Sequence, residues 1–379
     1  MIITKEMLTA AALQAGVTEI GAAPADPLIE MKERLDRRLA ENRTTPFEEQ
    51  DPSARLSPAG LLDSCRSIIT LALPYTPPGN HIPPKESNLY GKVARCARSI
   101  DYHFIIEKKA GEVVEALKKI TETSFKHKML ADRSPLLERE LARKSGLGLV
   151  GENCTLINSR YGSYTALATI LVDNYTEPGP ANNEKCLSCG RCREACPTGA
   201  LIEQYTINPH RCISYLNQAG GPVPLKMRSL MGRHIYGCDL CQEACPLNDK
   251  AEISPYPESA FVFFPAYPLL LPLLQITRKE YELTVGLSSA GWRGKTILQR
   301  NAVIALGNCN DSDAVKPLSL LLENDSRQLI RQHAAWALGR IGGDRAVFAL
   351  EKSRLKDPEE VVKYEAEQAL AFRDEHTKS

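Results

Sequence analysis

Seven cysteines in two copies of one motif, with an eighth between them, constrain this chain more than any other feature. CLSCGRCREACPTGAL (186–201) reads C-x2-C-x2-C-x3-C-P through Cys186, Cys189, Cys192, Cys196 and Pro197. GCDLCQEACPLN (237–248) repeats it through Cys238, Cys241, Cys245 and Pro246, one cysteine short. Bacterial two-cluster ferredoxins use this run: three thiolates hold one [4Fe–4S] cubane and the fourth crosses to the other. By that rule Cys245 completes cluster 1 with Cys186, Cys189 and Cys192. Cys196, Cys238 and Cys241 then lack a ligand, and Cys212 in HRCISYL, which lies between the motifs, completes cluster 2. Paired zinc sites are the competing reading of C-x2-C spacing, but zinc motifs rarely interleave four cysteines so closely with a terminal Cys-Pro.

Cysteine chemistry depends on compartment. The N-terminus, MIITKEMLTAAALQAG, has no basic start and carries Glu6 and Gln14 within its apolar run, unlike a secretory signal. The longest apolar block, FVFFPAYPLLLPLL (261–274), is cut by Pro265, Pro268 and Pro272. It falls short of the roughly 20 residues that span a bilayer. The expectation is a cytoplasmic protein without membrane contact, whose clustered thiols bind metal. Cys65, Cys154 and Cys309 read as small buried residues, and so does Cys96, despite Arg95 and Arg98 beside it.

At 379 residues the chain exceeds one typical domain. Residues 1–180 mix a helical pattern, FIIEKKAGEVVEALKKI (104–120), with β-like runs at SIITLALPY (67–75) and SYTALATILVD (163–173). That mixture predicts an α+β domain. Turn-rich TEPGPANNEK (176–185) marks its end. The cysteine region follows as 181–254, then a Pro-rich connection, 255–276, and a helical segment, 277–379. In that segment Ala302, Ala334 and Ala366 recur every 32 residues, as do Ala305, Ala337 and Ala369, and Leu306, Leu338 and Leu370. AVKPL (314–318) and AVFAL (346–350) keep the same interval. The pattern predicts paired helices stacked as a short solenoid. The fold class is therefore multidomain α+β: an N-terminal α/β domain, a bacterial-ferredoxin-like two-cluster domain and C-terminal α-helical HEAT-like repeats. No G-x-G-x-x-G follows a strand, which leaves a Rossmann nucleotide site unsupported.

The eight-cysteine pattern, RCISYL (211–216), YGCDLCQEACPLN (236–248), DYH (101–103), SGLGLVGENCTLIN (145–158) and the repeats together resemble the epoxyqueuosine reductase family over essentially the whole chain. The resemblance implies a cobalamin-dependent iron–sulfur enzyme that reduces epoxyqueuosine to queuosine in a tRNA anticodon, the last step of queuosine biosynthesis. Domain 1–180 would hold cobalamin, base-off, next to one cluster. Removing an epoxide oxygen takes two electrons and leaves an alkene and water, so the site needs a strong reductant and a proton source. The family's acid corresponds to Asp132 in LADRSPLLERE (130–140). Read from the residues alone, Asp132 ahead of Ser134 and Pro135 equally suits a helix N-terminus. The resemblance also puts Arg55, Cys96, Tyr102, Asp132 and Ser214 at the corrin. The chain departs from the family at Ser99-Ile100, where a glycine commonly precedes the x-D-Y-H element. Asp101 and His103 equally read as helix-capping or packing residues.

A tRNA anticodon stem–loop needs cationic protein surface. The net charge of +1 conceals a local excess. Between Gln204 and Cys238 the chain has Arg211, Lys226, Arg228 and Arg233 and no acidic residue. The entry to the repeats adds Arg278, Lys279, Arg293, Lys295 and Arg300 around Trp292, an aromatic able to stack on an unpaired base. The expected tRNA contacts are Lys226, Arg228, Arg278, Lys279, Arg293, Lys295 and Arg300. The same cations could instead be a solvated helix face, with Trp292 in the core. An external electron donor and a monomeric state complete the expectation. Two other functions fit part of the sequence: a corrinoid iron–sulfur reductase of a small molecule, dehalogenase-like, or a ferredoxin-type electron-transfer protein with an interaction domain. The repeats count against the first, since a small substrate does not need them.

Overall fold

Strand Ser67–Pro74 (SIITLALP) lacks polar alternation because both of its faces are covered, and every residue in it is buried. In the computed structural model, which describes residues 2–75, 83, 88–132, 134–179, 184–257 and 262–377, this strand is central to a four-stranded antiparallel sheet. The strands are β1 (Ile20–Pro24), β2 (Ser67–Pro74), β3 (His127–Leu130) and β4 (Thr165–Val172), in the order β1-β2-β4-β3. Ile69 pairs with Ile170 and Thr70 with Thr169.

Two compact units are each assembled from three stretches: Met1–Pro78, Ser99–His210 and Leu240–Phe261 form the first, and Gly79–Arg98, Arg211–Asp239 and Val262–Ser379 the second. The sheet belongs to the first. Helices Lys5–Gln14 and Tyr102–Thr121 cover one face, where Ile106, Val113 and Leu117 join Ile69, Leu71 and Ile170 in one core. Ile68 and Leu171, one residue out of phase, face a second core with Leu28, Leu136 and Leu141. Period-two geometry divides the strand between them, and each large aliphatic so buried contributes about 1.5–3 kcal/mol. The long helix starts at Asp101, whose carboxylate accepts the His103 N–H at 3.1 Å, and ends at Glu122 in the left-handed conformation.

In the second unit, helices Gly294–Cys309, Gln328–Ile341 and Glu360–Thr377 pack side by side in one row, and Val315–Asn324 and Asp344–Lys356 pack beside each other against that row. Ala302, Ala334 and Ala366 are completely buried. Close approach recurs with the 32-residue interval: a Cβ on Gly307 would meet Ala337 Cα at 3.0 Å, and one on Gly339 would meet Ala369 Cα at 3.0 Å. Leu370, in the last helix, is only half-buried. Of the expected boundary segment 176–185, residues 180–183 lie outside the described residues. Among the described residues no helix is long and apolar enough to cross a membrane.

Candidate functional site

Asp132 does not cap a helix. The helix after it begins at Glu138 with Leu137 at its N-cap position, and the Ser134 hydroxyl accepts the Leu136 N–H instead. Asp132 adopts φ +52°, a left-handed conformation that costs a non-glycine residue energy and tends to persist at functional sites. Its carboxylate accepts a hydrogen bond from the Tyr102 hydroxyl, and His103 Nε2 lies 3.5 Å from Oδ2. His103 Nδ1 lies 2.7 Å from Asp101 Oδ1, and the imidazole stacks on the Tyr102 ring at 4.3 Å.

Charge in this group is unevenly shared. Hydrogen bonds to Asp101 and then to Asp132 raise the His103 pKa to about 9 against the cost of burial. Burial works to raise the Asp132 pKa, but the bonds from His103 and Tyr102 and the charges of His103 and Arg139 outweigh it, so the carboxyl is held below its ordinary value. Glu138 goes the other way: burial first, then Asp132, push its pKa up to about 8. Protons at neutral pH therefore reside on His103 and Glu138, around an ionised Asp132. Paired groups with divergent pKa values are the usual mark of acid–base work. Nothing local in LLERE signals Glu138's role; its proximity to Asp132 arises only from the folded loop.

Arg55 is anchored through Nη1 to Glu48, which also binds Arg38 at 2.7 Å. Burial lowers the Arg38 pKa; Glu48 opposes this, and Arg55 and Arg139 add to it. Arg38 Nε and Arg55 Nε are buried with no acceptor among the described residues. This surplus of donors fits an acceptor-rich ligand, and the carboxamide rim of a corrin is one.

None of the twelve cysteines forms a disulfide. Cys186, Cys189, Cys192 and Cys245 line one pocket together with Gly151, Glu152 and Asn153. Burial raises the Cys245 thiol pKa, and negative charge on Cys186 and Cys189 raises it further, a repulsion that a cationic iron core would remove. The donor set fits a cubane. Cys196 Sγ accepts the Ala200 N–H at 3.3 Å; burial would raise its pKa, but bonds from Thr198 and the Ala200 backbone bring it below the ordinary thiol value. Cys196 and Cys241 belong to the first unit, and Cys212 and Cys238 to the second. So do Cys96, whose carbonyl accepts the Ser289 hydroxyl at 3.1 Å, and Ser214, bonded through its carbonyl to Gln218 at 2.8 Å.

The structure corrects two of the expected tRNA contacts. Arg300 is fully buried and spends its guanidinium on the carbonyls of Leu216, Ala219 and Gly221. Arg228 is buried in a bidentate pair with Glu365 at 2.7 and 3.1 Å. Both read as surface cations because charge in sequence does not report burial. Lys226, Arg278 and Lys279 are exposed, and Arg278 pairs with Glu282 at 2.8 Å. Lys295 and Arg293 are half-buried, with Lys295 Nζ 3.3 Å from the Ile276 carbonyl. Trp292 is 53% exposed, and the Arg293 guanidinium lies 4.8 Å over its ring.

Comparison with known proteins adds three matching family models. Residues 55–133 match the family described as epoxyqueuosine reductase QueG, DUF1730. Residues 185–248 match a 4Fe-4S double cluster binding domain, and 294–371 match HEAT repeats. The epoxyqueuosine reductase of Bacillus subtilis (strain 168) is 35% identical over 367 residues, 97% of this chain and 95% of that protein. The Escherichia coli (strain K12) enzyme is 31% identical over 86% of this chain and 85% of its own length. Among solved structures, an epoxyqueuosine reductase with an epoxyqueuosine-modified tRNA-Tyr stem loop superposes with a TM-score of 0.91 at 35% identity, covering 98% of both chains.

Proposed function

The chain belongs to the epoxyqueuosine reductase family, and from that premise we propose how its own residues reduce epoxyqueuosine to queuosine in a tRNA anticodon. Loss of the epoxide oxygen as water consumes two electrons and two protons and leaves an alkene. Bound cobalamin would supply the reducing equivalents, and the cysteines named below would hold two [4Fe–4S] clusters to take electrons from an external donor. The remaining work falls to the protein.

Asp132, ionised at rest, passes to the departing oxygen a proton that it takes from a protonated neighbour. The observation that carries this is the placement of its carboxylate between the Tyr102 hydroxyl and the His103 imidazole. The neighbours that hold a proton at neutral pH are His103 and Glu138. Arg55 Nε and Arg38 Nε offer donors to the corrin amides. Tyr102, Asp132, Cys96 and Ser214 keep the corrin-contacting role that the family resemblance implies. Cluster 1 takes Cys186, Cys189, Cys192 and Cys245; cluster 2 takes Cys196, Cys212, Cys238 and Cys241. Lys226, Lys279 and Arg278 meet phosphates, and Trp292 with Arg293 meets an unpaired base, with Lys295 nearby in sequence. The enzyme works as a cytoplasmic monomer, with domains bounded near residues 180, 254 and 276.

Incubating the reconstituted protein with cobalamin, a strong reductant and an epoxyqueuosine-bearing stem–loop tests this reading. The expected nucleoside has lost the mass of one oxygen atom; an unchanged mass with both clusters and cobalamin in place rejects it.

A further inference from the structure

The hairpin of Leu149–Val150 and Leu156–Ile157 carries at its tip two side chains with buried polar atoms that have no hydrogen-bond partner among the described residues. Glu152 is 1% exposed and Asn153 5%. Asn153 Oδ1 accepts from the Thr155 N–H at 3.3 Å and from the Thr155 hydroxyl at 2.8 Å. Those two donors fix the orientation of the amide, and its Nδ2 is left buried with no acceptor among the described residues. Both Glu152 oxygens are likewise without a hydrogen bond, with Arg193 Nε 3.9 Å away. A buried donor without an acceptor is destabilising, so its retention asks for one.

The surroundings define that acceptor. Asn153 lines the pocket of Cys186, Cys189, Cys192 and Cys245. Glu152 faces the Arg193 guanidinium, whereas the Asn153 amide has N–H groups to give. The tip is also stiff: Gly151 N–H bonds the Thr155 carbonyl at 2.9 Å, and a Cβ on Gly151 would meet Asn153 Oδ1 at 2.6 Å. Asn153 is thus held in one place by its own loop.

We propose that Asn153 donates a hydrogen bond to a sulfur of the cluster bound by these four cysteines and thereby raises its reduction potential. The inference rests on the ligand reading given above. Reduction adds one negative charge to the cluster, a donor bond to sulfur is stronger in the more negative form, and that form is therefore favoured.

The test uses the full chain with both clusters reconstituted, iron and sulfide counted, and the two midpoints followed by EPR during redox titration. Asn153→Asp keeps the oxygen that Thr155 holds and replaces the donor; Asn153→Leu removes the amide. In each, one midpoint should fall, lowering the reduced-to-oxidised ratio at fixed poise by about fivefold, the worth of one net hydrogen bond, while the other stays put. Unmoved midpoints in cluster-complete variants, or equal shifts of both, overturn the proposal. Should the variants load poorly, unaltered protein labelled with 15N at asparagine side-chain amides must show a nitrogen coupling to a reduced cluster in pulsed EPR; absence of that coupling overturns it equally. Fewer than two clusters in the unaltered chain would instead sink the ligand reading, and this inference with it.

Discussion

The His103 imidazole stands 3.5 Å from the carboxylate of Asp132 and 2.7 Å from that of Asp101, so one ring links the start of a helix to a loop thirty residues further on. Its pKa is raised from 6.5 to about 9, with Asp101 as the leading cause. Folding raises this pKa, so the stabilisation from His103 is complete below about pH 6.5 and is lost as pH climbs through about 9. Glu138, raised from 4.5 to about 8, changes stability in the same direction: the folded state keeps a proton that the unfolded chain releases, an advantage lost as pH rises between these values. The melting temperature should therefore fall from pH 6 to pH 9. In Asp101→Asn the His103 resonance should titrate well below 9 by NMR; an unchanged titration would contradict the pairing.

Asp132→Asn keeps the shape of the side chain and removes its acid. Single-turnover conversion of the stem–loop should slow by about 10²-fold or more, the usual worth of a positioned general acid. Iron and sulfide content should stay constant, since Asp132 is not among the cluster cysteines. Undiminished conversion would remove Asp132 from the role of acid.

The same substitution should have opposite effects at two glycines. In Gly339→Ala the new methyl would meet Ala369 Cβ at 2.6 Å, so the repeat helices must separate. Overpacking of this kind costs about 1–3 kcal/mol. Gly111 lies within helix Tyr102–Thr121 with nothing within 4 Å of its notional Cβ, and Gly111→Ala should add about 0.5–1 kcal/mol. Denaturant midpoints of the two variants, read against the parent, decide the matter.

These contrasts show what the sequence made legible. The repeats were readable because their packing is periodic: the alanines that recur every 32 residues, Ala302, Ala334 and Ala366, are the ones the stacked helices bury completely. The strand Ser67–Pro74 was readable because burial on both faces leaves an apolar run. Asp132 was ambiguous, since its contacts with Tyr102 and His103 come from a tertiary turn that no local pattern encodes. Arg228 and Arg300 misled for a related reason: a cation in an acid-free stretch, or near Trp292 in sequence, looks like surface until Glu365 pairs with the first and the carbonyls of 216–221 surround the second.

Buried and exposed cations should separate experimentally. Arg228→Ala strands the Glu365 carboxylate in the interior, which costs about 3–5 kcal/mol, so its main readout is a lower melting temperature. Lys226→Ala and Lys279→Ala leave stability unchanged. Each should weaken stem–loop binding and reduce the slope of log affinity against log salt by about one for every phosphate no longer neutralised. A salt slope unmoved in both lysine variants would take these residues out of the tRNA interface.

The crossed arrangement of ligands makes a prediction that sequence order would not. Cys245 follows Cys241 closely in the chain, yet it shares a pocket with Cys186, Cys189 and Cys192. Cys245→Ser should therefore perturb the same EPR signal as Cys186→Ser, whereas Cys238→Ser and Cys212→Ser should perturb the other. If Cys245→Ser and Cys238→Ser altered one common signal, each motif would hold its own cluster, and the second copy would have no thiolate for its fourth position other than one borrowed from outside both motifs.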